Sequence, residues 1–308
     1  MEAGADAVKF QTFRSDRLAA PSAPKARYQA QATGREESQL EMLRRLELSE
    51  DAHRTLTAHC RARGILFLST PFDEESADVL EQLGVPAFKI SSGEVTNLPL
   101  LTHVAKKGKP MIVSTGMSTL TEVRAAVQAI RRHLSEGLVL LHCVSSYPAD
   151  PADANLRAMS TMARTFRTPV GFSDHTPGLT VALAAAALGA CVIEKHLTLD
   201  RTLPGPDHRI SLEPGEFTAL VREVRIVESS LGHGRKEPVA SESEIAAVAR
   251  KSLVAARTIP AGSRLTEQAI AIKRPGTGFS PAMLGQLIGR TATREIPAGT
   301  VLTQEMIR

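Results

Sequence analysis

The side chains with the most chemical potential in this 308-residue chain stand at the ends of short apolar runs. Lys9 and Gln11 lie in the run Ala7–Phe13, on one strand face by the two-residue period, and Thr70 lies near the end of Ile65–Phe72. Lys89, Ser92 and Glu94 close Ala87–Glu94, while Ser114 and Thr115 lie in Pro110–Met117. Ser145, Ser146 and Tyr147 end Leu138–Tyr147; Ser173, Asp174 and His175 belong to Val170–Thr176; Glu194, Lys195 and His196 belong to Cys191–Leu199. A lysine inside an apolar strand is costly unless an anion meets it. Lys9 is therefore either a ligand-binding group or half of an internal ion pair with a carboxylate. Strand-end hydroxyls can serve the same anion, although such groups also satisfy nearby backbone. His175 and His196 end consecutive runs, so their rings can approach one another.

These residues need elements to position them. Amphipathic segments at about 38–62, 74–84, 97–108, 119–133, 155–166, 177–189 and 213–231 follow the runs, and Gly64, Gly84, Gly108 and Gly189 close helices before strands. Strand and helix alternate, which predicts a parallel sheet. Seven such strands suit either an open doubly wound sheet or a barrel. Polar ends on nearly every run favour the barrel, where all C-terminal strand ends converge on one mouth; in an open sheet the outer strands lie too far away to need them. The expected fold is thus α/β, a (β/α) TIM-type barrel over residues 1–232, then a polar linker at 233–249 and a small domain at 250–308. That domain holds an internal repeat: Ile259-Pro-Ala-Gly-Ser-Arg-Leu-Thr-Glu-Gln-Ala-Ile270 matches Ile296-Pro-Ala-Gly-Thr-Val-Leu-Thr-Gln-Glu-Met-Ile307, which predicts a two-fold pseudosymmetry.

Composition excludes several classes. A net charge of +4, with scattered basic residues, no Trp and two Tyr, is a solvated surface and no nucleic-acid platform. The longest apolar run, Val181–Leu188, is too short to span a bilayer, and the N-terminal MEAGADAVKF has no signal-peptide character. Cys60, Cys143 and Cys191 are odd in number and widely spaced, which fits a reducing cytoplasm better than a disulfide framework. His53, His59, His103 and His133 fall on predicted helices and are expected to face solvent.

The strings VKFQTF, STPF, FKISSGE, STGM, HCVSSYP, GFSDHT, EKHLTLD, PGPDH and KRPGTG occur in this order from one end of the chain to the other. Together they resemble the sialic acid synthase family, which includes the legionaminic and pseudaminic acid synthases, and the C-terminal domain resembles the family's antifreeze-like (SAF) domain. The resemblance implies condensation of phosphoenolpyruvate with an N-acylmannosamine sugar, with phosphate leaving by C–O cleavage. It places Lys9, Thr70, Lys89, Ser92, Ser145 and Ser173 around phosphoenolpyruvate; some relatives carry Asn at the Ser145 position. It gives Glu94 the proton-handling role, so that Glu94, Lys9 and Gln11 form the catalytic set. Tyr147, Asp207 and Arg274 become sugar contacts, with Arg274 supplied across a swapped homodimer. His175 and His196 become ligands of a divalent cation. Two nitrogens suit a partly hydrated octahedral ion, Mn2+ or Mg2+, better than closed tetrahedral zinc.

One departure stands out. Members of the family open with a strand bearing an E-I-G-x-N-H-x-G-like string, whereas Met1-Glu-Ala-Gly-Ala-Asp-Ala reads as the last turn of the first helix. The expectation is a barrel lacking its first βα unit and its first-strand Glu, through a start assigned at an internal Met or through true truncation. Such a chain is expected to be poorly soluble and weakly active. The alternative function is an inactive barrel kept as a binding or dimerisation partner; an ice- or polysaccharide-binding module fits the barrel residues poorly. Gly205-Pro206-Asp207-His208 favours the sialic and legionaminic branches over the pseudaminic one.

Overall fold

The computed structural model describes residues 1–34 and 36–308. They divide into two compact units, Met1–Gly232 and His233–Arg308. In the first, strands and helices alternate from β1 (Ala7–Thr12) through α1 (Ser15–Leu18), α2 (Arg27–Thr33), α3 (Gln39–Leu46) and α4 (Glu50–Arg63) to β2 (Leu66–Pro71), α5 (Glu74–Gln82), β3 (Phe88–Ile90) and α6 (Leu98–Ala105). The order continues with β4 (Met111–Ser114), α7 (Leu120–Arg131), β5 (Leu138–Cys143), α8 (Arg157–Phe166), β6 (Val170–Asp174), α9 (Thr180–Ala187), β7 (Ile193–Lys195) and α10 (Pro214–Ser230). Each helical crossover returns the chain to the same end, so every neighbouring pair runs parallel: β1 with β2, and β3 through β7 in sequence order. The series curls. Lys9 on β1 reaches Glu194 on β7 at 3.0 Å, a contact that the first and last strands of an open sheet could not make.

The core lies between the sheet and its helices. Phe88, Ile90, Met111, Leu140, Leu141 and Phe172 on the strands are shut away with Leu80, Leu101, Val104 and Ile130 on the helices. The helix starts are built from short-range chemistry. Thr119 and Glu122 form a reciprocal cap at α7, with Thr119 N donating to Glu122 Oε2 at 2.7 Å. Asp73 accepts from Ser76 N at 2.8 Å at α5. Gly64 closes α4 in the left-handed region that favours glycine.

All seven expected strands are present, each shorter than its apolar run. The last residues of several runs leave the ladder, as where Ser92–Glu94 forms one 3-10 turn. The segment expected as one helix over 38–62 is two, because Ser49 caps α4 afresh, accepting from Ala52 N at 3.2 Å. One expectation is overturned: His53 does not face solvent. It is 1% exposed, with Nδ1 donating to Ser49 O at 2.9 Å and Nε2 2.8 Å from Thr12 Oγ1. His103 is half-buried and 2.6 Å from Asp78, whereas His59 and His133 are exposed.

In the second unit a helix, α11 (Ser243–Ala249), occupies the end of the segment expected as linker. Beyond it β8 (Ser252–Ala255) pairs antiparallel with β9 (Ile270–Lys273), and α12 spans Leu284–Leu287. The repeat is visible as symmetry. Ile259 and Ile296, first residues of the two copies, exchange both backbone hydrogen bonds at 2.8 and 2.9 Å. Their equivalents Leu265 and Leu302 are both buried in the same small core.

Candidate active site

Register on β6 and β7 sets the centre of the site. Ser173 stands opposite Glu194 and Asp174 opposite Lys195, so alternate residues serve opposite faces. On one face Ser173 Oγ donates to Glu194 Oε1 at 3.2 Å. Glu194 Oε1 also accepts from Lys9 Nζ at 3.0 Å, and Glu194 Oε2 lies 3.6 Å from Lys89 Nζ. On the other face Lys195 and Asp174 form an enclosed ion pair at 2.7 Å, and Asp174 Oδ1 accepts from Thr176 N and Oγ1 at 2.9 and 2.8 Å. That second pair ties together the strand ends that carry His175 and His196.

Two lysines thus share one carboxylate. Burial opposes charge on Glu194, but the Lys89 and Lys9 ammonium groups beside it hold its carboxyl far below the usual range. Lys89 is 2% exposed and donates to Ser114 Oγ at 2.7 Å and Ile90 O at 3.0 Å. Its burial pushes the ammonium down to about 8 despite Glu194. The internal pair that the sequence allowed for Lys9 is present, and Glu194 is its partner.

Hydroxyls surround this centre. Ser92 Oγ accepts from Gly116 N at 2.9 Å, and Ser145 Oγ lies 4.0 Å from Cys143 Sγ. A Cβ at Gly116 would stand 2.2 Å from Ser145 Oγ and 3.0 Å from Ser92 Oγ, so only glycine lets β4's end approach this ring. Thr70 Oγ1 is buried without a hydrogen-bond partner among the described residues. Gln11, opposite Thr70 in the β1–β2 register, is exposed at its strand end.

The histidines meet as expected, their ring centroids 5.3 Å apart. His175 Nδ1 donates to Val144 O at 2.9 Å, which leaves the lone pair on Nε2. Burial, with Lys9 and His175 adding to it, pushes His196 down to about 3, so its imidazole is neutral. A neutral His196 beside a His175 whose Nδ1 hydrogen is committed to Val144 O fits the donor chemistry of a metal site. No group of three or more His, Cys, Asp or Glu is poised to hold an ion among the described residues, so water or substrate oxygen would have to complete the shell.

Tyr147 packs on His175 at 4.3 Å and meets His196 edge-on at 6.2 Å. Asp207 makes no cap for the short helix after it; its Oδ1 is buried without a partner among the described residues, and burial pushes its carboxyl up. Glu94 ends the 3-10 turn that Ser92 begins. Burial raises its carboxyl even though Asn97 Nδ2 donates to Oε2 at 2.7 Å. Arg274 belongs to the second unit, where its Nε donates to Ala249 O at 3.0 Å. Sequence reasoning left two residues unassigned. Glu194 was visible as a polar strand end, but its pairing depends on curling. Tyr28, on α2, carried no strand or motif signal, yet it stacks on Tyr147 at 4.8 Å.

A curled parallel sheet with its reactive side chains gathered at the C-terminal strand ends, followed by a small separate domain, is the organisation of a βα-barrel enzyme. The chain belongs to the NeuB family, which residues 1–236 match, and residues 250–308 match the SAF domain. The N,N'-diacetyllegionaminic acid synthase of Legionella pneumophila is 46% identical over 99% of this chain and 87% of its own length. The N-acetylneuraminate-9-phosphate synthase of Homo sapiens is 36% identical over 99% of this chain and 85% of its own. Among solved structures, the N-acetylneuraminic acid synthetase of Leptospira borgpetersenii in complex with citrate is 36% identical and superposes with a TM-score of 0.69 over 79% of this chain and 80% of that one. The chain is therefore an enzyme of the acid-synthase kind. No helix among the described residues is long and apolar enough to cross a membrane.

Proposed function

We propose that this enzyme condenses phosphoenolpyruvate with an N-acylmannosamine-type aldehyde and water, giving a nonulosonic acid and inorganic phosphate. The observation that carries this reading is the set of two lysines on one carboxylate, with Lys89 buried, ringed by hydroxyls and adjoining the His175–His196 pair. One positive charge is left over in a low-dielectric place, which suits a multiply charged anion. Lys89 with Thr70, Ser92, Ser145 and Ser173 binds the phosphate, and Lys9 takes the carboxylate.

In the reaction, C3 of the enol attacks the aldehyde carbon and a C–C bond forms. Water adds at C2, and the C2–O bond to phosphate breaks. Tyr147 and Asp207 orient the sugar, Asp207 Oδ1 accepting the hydrogen bond that it now lacks. Glu94, whose carboxyl burial has raised, exchanges the proton of the attacking water, and Gln11 lines the same mouth. His175 and His196 would hold a divalent cation, Mn2+ or Mg2+, which when bound would supply Lewis acidity toward the aldehyde oxygen. The protein works as a homodimer in which Arg274 of the partner subunit meets the sugar's acyl group. The test is phosphate release from phosphoenolpyruvate in the presence of N-acetylmannosamine or its 2,4-diacetamido-2,4,6-trideoxy analogue. Sugar-dependent release with a C–C-bonded product supports the reading; release that ignores the sugar overturns it.

A further inference from the structure

Four aromatic rings run outward from the lysine cluster: His196, His175, Tyr147 and Tyr28, with successive centroids 5.3, 4.3 and 4.8 Å apart. The outermost comes from the excursion between β1 and α4, and that excursion is tied down. Lys25, with 3% of its side chain exposed, donates to Glu37 Oε1 at 3.1 Å and Thr33 Oγ1 at 3.0 Å, and Arg45 closes on the same Glu37 at 2.5 Å. Leu40 and Met42, on α3 of the same excursion, are buried. Tyr28 is therefore held over the mouth by a built structure. Its phenol is pushed up to about 12 by burial and then by the charge of Asp207. Asp207 Oδ1, buried and without a partner among the described residues, marks a place that awaits a donor.

We propose that Tyr28 is a specificity-determining residue, forming with Tyr147 an aromatic wall that selects sugars with an acylamino group and a methyl group at the distal carbons. This rests on the proposed function. The reacting aldehyde belongs at the lysine and histidine end, so the far carbons of the sugar run along the two tyrosines. Those carbons distinguish N-acetylmannosamine, which carries hydroxyls there, from 2,4-diacetamido-2,4,6-trideoxymannose, which carries an acetamido group and a methyl. Ring faces favour methyl and C–H surface and gain nothing from a hydroxymethyl that must shed water.

The chain supplies its own reporter: it has no Trp and two Tyr, and both are in this wall. Near-ultraviolet circular dichroism therefore reads the stacked pair directly. Sugar binding is followed by this signal and by calorimetry for the 308-residue protein, Tyr28→Ala and Tyr28→Phe, with phosphoenolpyruvate binding measured alongside. The wild type should bind the diacetamido sugar more tightly than N-acetylmannosamine. Tyr28→Ala should lose about tenfold for the former and little for the latter, a methyl-scale discrimination. Its phosphoenolpyruvate affinity should be unchanged, and Tyr28→Phe should keep the preference. If Tyr28→Ala does not fold, Tyr28→Leu carries the same expectation. A preference that survives loss of the ring, or an equal loss for both sugars and phosphoenolpyruvate, reduces Tyr28 to a fastener of the excursion and overturns this inference alone. A wild type that binds phosphoenolpyruvate but neither sugar overturns the proposed function with it.

Discussion

Lys89 holds an ammonium where charge is expensive, and this gives the site a pH signature. Its depressed value means that the unfolded chain keeps the proton more tightly than the folded one between about 8 and the ordinary lysine value of ~10.4. The cost of burying this ammonium is therefore fully present below about 8 and is relieved as pH rises through that window. Function runs the other way, because anion binding needs the charged form. We expect kcat/KM for phosphoenolpyruvate to be level up to about pH 8 and then to fall about tenfold per unit, reporting the free enzyme. In Lys89→Ala the alkaline limb should vanish and affinity should be low throughout. A wild-type profile that stays level to pH 9.5 would mean that Lys89 does not carry the anion. The histidine pair carries a second expectation. Thorough chelation should abolish sugar-dependent phosphate release, Mn2+ should restore it, and His175→Ala and His196→Ala should each resist restoration. Full turnover by chelated protein with no ion found by metal analysis would remove the cation from the scheme.

At the scale of elements, the approach of β6 to β7 depends on one missing side chain. A Cβ at Gly171 would stand 2.4 Å from Val192 O and 2.7 Å from Leu141 Cδ2. The carbonyl belongs to backbone that cannot swing aside. Gly171→Ala should thus cost about 1–3 kcal/mol, the scale of overpacking, and should also loosen the register that sets Ser173 against Glu194. Denaturant unfolding reads the first effect and phosphoenolpyruvate affinity the second; a variant as stable and as tight as wild type would show that the strands have slack. The strands themselves were legible because each apolar run is short and four of the seven follow helices closed by glycine, at Gly64, Gly84, Gly108 and Gly189. So were Lys9, Lys89, Ser173 and the histidines, since polar residues at strand ends stand out against apolar ones. Glu194 as the partner of Lys9 was not, because residues 185 apart meet only once the sheet curls. His53 was within reach, for His53, Leu56 and Cys60 recur on one face of α4 and share the buried side, but a histidine on a helix was read by its polarity alone. Tyr28 was out of reach, since it lies outside every apolar run and amphipathic segment read from the sequence, and its short helix α2 buries no residue that would mark a face.

At the scale of the whole molecule, the two units divide the work differently from their sizes. The larger unit holds the lysines, hydroxyls, histidines and Glu94, while the smaller holds one candidate, Arg274, fixed by a backbone contact to Ala249. An arginine presented by a separately folded unit can serve a barrel only if the unit is brought to it, and the proposed dimer does this by exchanging units between subunits. The exchange has a consequence that no contact within one chain shares. Arg274→Ala should cripple sugar use through a raised sugar KM, because an acyl-group contact is lost while the anion site is untouched. Glu94→Gln should cripple turnover through kcat. Each homodimer should be nearly inactive. In a heterodimer of the two, one of the two sites receives an intact barrel and an intact arginine, so mixing equal amounts and allowing subunits to exchange should restore activity to about one quarter of wild type: half the molecules are mixed, and half of their sites are whole. Verified heterodimers that stay inactive would place Arg274 over its own barrel or outside the site altogether.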